Sequence, residues 1–170
     1  MARTRAVVVA IVIAATSVAG WWLGRLGPGA STNSATGARF AARVTETVDG
    51  DTVHVQTARG PDTVRLLGIN TPETHHPTKP VECYGPEASA YAEQRLTGRA
   101  VQLELDVEHR DIYGRLLAYI ILDGRRFNDE LLEQGYARVL IIAPNGAHAR
   151  TMIEEELAAK RARLGLWGAC

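Results

Sequence analysis

The chain has 170 residues, with 19 Lys and Arg against 19 Asp and Glu, and two cysteines. Arg3, Arg5 and Arg25 are the only charges in its first 25 residues, so from residue 26 onward 16 basic side chains face 19 acidic ones. That length fits one domain, and a net-negative body argues against a protein that coats polyanions at large, although one cleft can still focus positive charge.

Residues 1–5, MARTR, make a basic start, and residues 6–24 run without a charge. Nineteen residues of helix reach about 28 Å, enough for the hydrocarbon core of a bilayer. Trp21 and Trp22 stand near its end, where amphipathic rings favour the headgroup level. Two readings of residues 1–25 compete. Ser17-Val18-Ala19 fits a cleavage site and a secreted product; the apolar run continues past it, which fits an uncleaved signal anchor. Arginines on the N-terminal side favour that end staying in the cytoplasm, so either reading exports the main domain. Residues 26–37, rich in Gly, Ser and Thr, read as a flexible tether before a domain over 38–170.

From Ala38 the pattern changes. Phe40, Ala42 and Val44 alternate, and Val53 and Val55 continue beyond a turn at Asp49-Gly50, which predicts a hairpin. Arg59-Gly60-Pro61 forms the next turn and Thr63 to Leu67 a third strand. His75 to Pro80 is a loop. Gly85-Pro86 opens a helix with Glu87 near its positive end, an inward stripe of Ala88, Tyr91, Ala92 and Leu96, and a stop at Gly98. Val101, Leu103, Leu105 and Val107 alternate as a fourth strand, and Leu116 to Leu122 form a fifth after the Tyr113-Gly114 turn. Asn128 is predicted to cap a short helix that Gly135 stops. Ala137 to Ile142 is a brief apolar extension. The last helix spans Ala149 to Leu164, with Met152, Ile153 and Leu157 inward. Five curved antiparallel strands with helices make an α+β fold, and they fit a partly open barrel of the oligonucleotide-binding class.

Cys83 and Cys170 are too few for a disulfide scaffold and lack metal-site spacing. In an oxidising compartment a bond between them would pin the C-terminus to the start of the first helix; the other reading is two free thiols. The five histidines form no helical His-x-x-x-His pair and join no cysteine cluster, which speaks against zinc.

The polar residues of interest fall in three short stretches. Arg65 sits inside an otherwise apolar strand, and Glu73 follows it in the turn Asn70-Thr71-Pro72-Glu73. A guanidinium beside a carboxylate-bearing turn can clamp a phosphate next to a general base or a water-positioning group. Asp49 and Asp51 share a hairpin turn, where one aspartate suffices; two close carboxylates invite a hard cation such as Ca²⁺. Arg115 stands at the mouth of the fifth strand. Each has an ordinary reading alone: a turn aspartate, a snorkelling arginine, a solvated glutamate.

Together they have a family likeness. VDGDTV (48–53), VRLLGINTPE (64–73), HPTKPVECYGPEAS (76–89), DIYGRLLAYI (111–120), NDELLEQGYA (128–137) and a final GLW closely resemble the staphylococcal (micrococcal) nuclease family, the thermonucleases, over about residues 38–167. The resemblance implies a five-stranded oligonucleotide-binding barrel with three helices. It also implies a monomer that cleaves DNA and RNA, single-stranded or breathing duplex, to 3′-phosphates with Ca²⁺. On this chain Arg65 and Arg115 would clamp the phosphate, and Glu73 would act as general base or position the water. Asp51 and Asn70, with the Thr71 carbonyl, would hold Ca²⁺, with Asp49 in an outer shell. Lys79 and Tyr113 would touch the nucleic-acid backbone.

The chain departs from that pattern where it matters. Asn70 stands where the family has its second metal-binding aspartate, so weaker Ca²⁺ binding is expected, towards the about 10⁻⁴–10⁻³ M of sites with fewer charges. Ile112 replaces a lysine, and Ile141 and Ala143 replace pocket tyrosines, removing phosphate and stacking contacts. The competing reading is a catalytically silent, membrane-tethered nucleic-acid or protein-binding module of the same fold.

Overall fold

The structure is a computed structural model and describes residues 36–74 and 80–170. The expected N-terminal apolar helix, all but the last two residues of the tether, and Lys79 lie outside the described residues. Among the described residues no helix is long and apolar enough to cross a membrane.

Three strands open the domain: β1 (Arg39–Thr47), β2 (Thr52–Thr57) and β3 (Gly60–Leu66). β1 and β2 pair antiparallel with Val44 opposite Val55, and the Asp49-Gly50 turn is closed by the Val48 and Asp49 N–H groups donating to the Thr52 carbonyl. β2 and β3 form the second hairpin. β5 (Ala100–Arg110) lies antiparallel to β1 on its other side, and β6 (Leu116–Leu122) lies antiparallel to β5. The sheet closes where β6 meets β3 in parallel, Val64 opposite Leu116, Arg65 opposite Leu117 and Leu66 opposite Ala118. These five strands form the expected barrel. Alternation sends Val44, Val53, Val64, Leu66, Leu103 and Ile120 into its interior, each no more than 1% exposed.

Beyond β3 the chain leaves the barrel. Gly68 adopts a left-handed backbone (φ +78°) with Met152 packed against its α-carbon, which leaves no room for a side chain there. This kink sends β4 (Gly68–Asn70) to pair with β8 (Arg138–Leu140) in a separate two-stranded sheet, Asn70 opposite Arg138. The brief apolar extension after residue 137 is therefore a strand. The two-residue β7 (Arg125–Arg126) pairs antiparallel with the end of β6, Ile121 opposite Arg126.

α1 (Gly85–Leu96) starts with Pro86 in its first turn, buries Ala88, Ala92 and Leu96, and is followed by left-handed Gly98, as its spacing predicts. α2 (Phe127–Glu133) buries Phe127, Leu131 and Leu132. Asn128 is not its cap. It is fully buried, accepts the Ile120 N–H at 3.0 Å through Oδ1 and donates Nδ2 to the Leu67 carbonyl at 2.8 Å. One amide thus satisfies a donor on β6 and an acceptor at the β3–β4 bend, both of which would otherwise be buried unpaired.

α3 (Ala149–Ala162) buries Met152 and Ala159, while Ile153 and Leu157 are each 44% exposed, contrary to the inward stripe expected of them. The face through 152, 155 or 156, and 159 is the one that meets α2 and β8. Glu156 accepts the Val139 N–H from it at 3.0 Å. Residues 153 and 157 stand about 100° round the helix from 152 and 156. Val107 is likewise exposed, because the β5–β6 register breaks between Leu105 and Arg110. A short α4 (Leu166–Ala169) ends the chain, and Cys170 beyond it is disulfide-bonded to Cys83, with α-carbons 6.1 Å apart.

Candidate active site

The site grows from the parallel β3–β6 seam. With Val64, Leu66, Leu116 and Ala118 filling the interior, two-residue alternation projects Arg65, Leu117 and Arg115 from the opposite side of the sheet.

Arg65 is held by four acceptors. Its Nη1 donates to the Leu66 carbonyl at 2.7 Å and the Ile69 carbonyl at 3.0 Å. Its Nη2 reaches Asn70 Oδ1 at 3.2 Å and lies 3.0 Å from Asp51 Oδ2. The β3–β4 kink makes this possible, because it curls the carbonyls of 66 and 69 back towards the strand that carries the arginine.

Asp51 is 5% exposed. Its Oδ2 accepts the Thr71 N–H at 2.9 Å and its Oδ1 the Thr52 hydroxyl at 3.2 Å. Burial pushes its carboxyl up to about 6; the Arg65 charge pulls it back and the Asp49 charge adds to the rise. Asp49, half-buried, accepts the Asp51 N–H at 3.0 Å. Asn70 Nδ2 donates to the Thr71 carbonyl at 3.2 Å. Asp49, Asp51, Arg65, Asn70 and Thr71 therefore form one hydrogen-bonded cluster. Among the described residues, no group of three or more His, Cys, Asp or Glu could hold a metal ion.

Glu73 lies two residues beyond Thr71 and is half-buried. Its Oε1 accepts the Thr74 N–H at 2.9 Å, its carbonyl accepts the Glu82 N–H at 2.9 Å, and its own N–H donates to Glu82 Oε2 at 3.3 Å.

Arg115 belongs to a second cluster, carried to the first by the β3–β6 register. Asp111 accepts both its Nε and its peptide N–H, and burial of that carboxyl is outweighed by these bonds and the Arg115 charge, which hold it below the usual carboxylate range. Among the described residues the two terminal guanidinium nitrogens of Arg115 meet no acceptor, so they are available to a ligand. Tyr113, 78% exposed, stands with its ring centroid 5.5 Å from Arg115 Cζ. Arg110 fastens this turn by donating to the Gly114 carbonyl at 2.6 Å while paired with Asp62 on β3.

Two residues were overlooked in the sequence, Asp111 and Glu82. For the first, an aspartate opening the Asp111–Arg115 turn was a usable signal, since such side chains bond the backbone two residues on. Nothing local marks the second, since its partner is nine residues away.

A tightly held arginine beside a buried aspartate, and a second arginine fixed through its inner nitrogen, sit on a barrel of the oligonucleotide-binding class, an arrangement suited to a phosphate. Comparison with known proteins agrees. The family model for staphylococcal nuclease homologues matches residues 63–169. A thermonuclease of Staphylococcus hyicus is 35% identical over 125 residues, 74% of either chain, and one of Staphylococcus intermedius is 37% identical over 124 residues, 73% of this chain and 74% of that one. A prophage-derived endonuclease of Bacillus subtilis is 41% identical over 122 residues, 71% of this chain and 41% of that one. The chain belongs to the staphylococcal nuclease family. It is an enzyme, a hydrolase with a nuclease-type active site.

Proposed function

We propose that this chain is a Ca²⁺-dependent endonuclease that hydrolyses DNA and RNA to 3′-phosphate ends, exported and either anchored by residues 1–25 or released. The observation that carries the reading is Arg65, fixed by four acceptors and joined through the β3–β6 seam to Arg115, whose terminal nitrogens meet no acceptor among the described residues.

A phosphodiester resists attack because its charge repels the nucleophile. Arg115 would donate from its terminal nitrogens to a non-bridging phosphate oxygen, and Arg65 would hold positive charge where negative charge grows on five-coordinate phosphorus. Glu73 would accept the proton of the attacking water or orient that water in line. The new bond joins the water oxygen to phosphorus, the bond to the 5′-oxygen breaks, and that oxygen takes a proton from solvent, leaving a 3′-phosphate and a 5′-hydroxyl. Tyr113, at the rim beside Arg115, and Lys79 would touch the flanking backbone.

The donor set fits a hard cation. Asp51, the Asn70 amide oxygen and the Thr71 carbonyl, with Asp49 behind them, are all oxygen donors of the kind a hard cation takes. Bound there, Ca²⁺ would add positive charge beside the phosphate during attack. With one direct carboxylate, affinity in the about 10⁻⁴–10⁻³ M range is expected.

Plasmid nicking and RNA degradation, each followed with Ca²⁺ and with a chelator, test this reading. It requires cleavage of both substrates that the chelator stops. Retained nucleic-acid binding without cleavage would support the silent binding module instead.

A further inference from the structure

We propose that the Cys83–Cys170 disulfide is a redox-governed positioning device for Glu73, so that its reduction by a dithiol lowers turnover without weakening nucleic-acid binding. This rests on the reading of Glu73 as base or water-positioning group.

The segment that carries Cys83 lies directly against Glu73. Residues 73 and 82 exchange hydrogen bonds: the Glu82 N–H donates to the Glu73 carbonyl and the Glu73 N–H to Glu82 Oε2. Gly85 packs so closely on the same stretch that a β-carbon there would sit 2.9 Å from the Glu73 carbonyl oxygen and 3.2 Å from that of Pro72. Whatever shifts residues 82–85 therefore shifts the backbone of Glu73.

Two fastenings reach that segment from the C-terminal part of the chain. One is covalent. Cys170 follows α4, which is seated by buried Leu166 and by the Leu166 N–H donating to the Gly135 carbonyl at 2.9 Å. The other is the ring of Tyr84, stacked on Tyr136 with centroids 5.5 Å apart. Between them Tyr84 holds a left-handed backbone (φ 69°), which a residue with a side chain keeps only where its surroundings impose it. Removing the covalent fastening leaves the stack and the local bonds from the Gly85 N–H to the Glu82 carbonyl and from the Ala88 N–H to the Tyr84 carbonyl to hold that conformation, with nothing covalent to oppose its relaxation. Relaxation of Tyr84 would draw Glu82 away from Glu73.

Both half-cystines are exposed, so a small dithiol can reach them. One reagent thiolate attacks a cystine sulfur, the S–S bond breaks, and the second reagent thiol displaces the mixed disulfide to give a cyclic disulfide. Two electrons pass to the protein and two protons are taken up, leaving Cys83 and Cys170 as thiols. Arg65 and Arg115, the proposed phosphate clamps, lie on the β3–β6 seam, outside the fastened segment, so the binding they provide should survive.

The test measures kcat and KM of the full chain on a single-stranded oligonucleotide, oxidised and after dithiol reduction, at a temperature where circular dichroism shows both forms folded. Displacement of a reacting group by a fraction of an ångström predicts a kcat roughly tenfold lower with KM unchanged. Cys83→Ser with Cys170→Ser should reproduce the reduced enzyme and no longer respond to the dithiol. An unchanged kcat accompanied only by a lower Tm would make the bond a plain staple and overturn the proposal, as would a raised KM at constant kcat. If the reduced form does not fold, Glu82→Ala in the oxidised protein must show the same loss in kcat and Glu82→Gln must restore it; a normal kcat for Glu82→Ala overturns the proposal. Cleavage by oxidised enzyme that ignores Glu73→Gln would instead defeat the underlying reading of Glu73. A Glu73-dependent kcat indifferent to reduction defeats only the redox proposal.

Discussion

Asp111 grips Arg115 in two places, its Oδ2 accepting the side-chain Nε at 2.7 Å and its Oδ1 the peptide N–H at 2.9 Å. The same Oδ1 accepts the Tyr113 N–H at 3.0 Å, so one carboxylate shapes the turn and aims the guanidinium it presents. Arg65 is fixed through its terminal nitrogens, whereas Arg115 is fixed through its inner nitrogen and, among the described residues, its terminal ones meet no acceptor. The first arrangement suits preset charge and the second suits ligand capture.

Asp111→Ala should therefore impair catalysis although Asp111 touches no substrate. Hydrogen bonds to a charged group are worth about 1.5–3 kcal/mol, which corresponds to roughly a 10- to 100-fold fall in kcat/KM. Steady-state kinetics on a short oligonucleotide checks this, and activity equal to wild type would show that Arg115 orients itself.

Under the proposed Ca²⁺ reading, position 70 sets how much negative charge the cation meets. Asn70→Asp adds a carboxylate beside Asp51 and should tighten Ca²⁺ binding by tenfold or more, about 1.4 kcal/mol. Calorimetric titration of both proteins reads the difference directly. Equal affinities would mean that position 70 is not a ligand, and that its bond to Arg65 is its whole role.

Glu155 predicts a pH-dependent stability far from the site. Its Oε2 is buried with no hydrogen-bond partner among the described residues. Burial, with Asp129 and Glu133 nearby, pushes its carboxyl up to about 7, against a smaller pull from Arg126 and Arg125. Below the ordinary carboxylate range folded and unfolded forms are both protonated there. As pH rises to about 7 the unfolded form ionises first, so stability is lost across that window. The full shift corresponds to about 3 kcal/mol, and solvent screening at this half-buried position reduces it to on the order of 1–2 kcal/mol. Glu155→Gln should raise Tm at pH 8 and leave it unchanged at pH 4. A Tm difference independent of pH would contradict the assignment.

Much of this was legible in the residues, and the exceptions share a cause. The barrel strands show because interior positions such as Val53, Val55 and Leu103 alternate with outward polar ones, and α1 shows because Pro86, its alanine stripe and Gly98 mark both ends and a face. The cluster of Asp51, Asn70 and Thr71 was anticipated from motif likeness, not from pattern. β4 and β8 were hidden because three residues carry no period and their pairing spans about 70 positions. Asn128 looked like a cap because a buried amide bridging two backbones has no local signature. Ile153 and Leu157 read as inward because apolar spacing cannot reveal which face of α3 meets a neighbour.

The central claim is that Arg65, Glu73 and Arg115 act on one scissile phosphate. Single-turnover cleavage of a short single-stranded oligonucleotide at saturating Ca²⁺ tests it most directly, comparing the natural enzyme with Arg65→Gln, Glu73→Gln and Arg115→Gln. Loss of one preorganised transition-state contact is worth about 2.7–4 kcal/mol, so each variant should be slower by roughly 10²–10³-fold while remaining folded. Folded variants that cleave at the natural rate would contradict it.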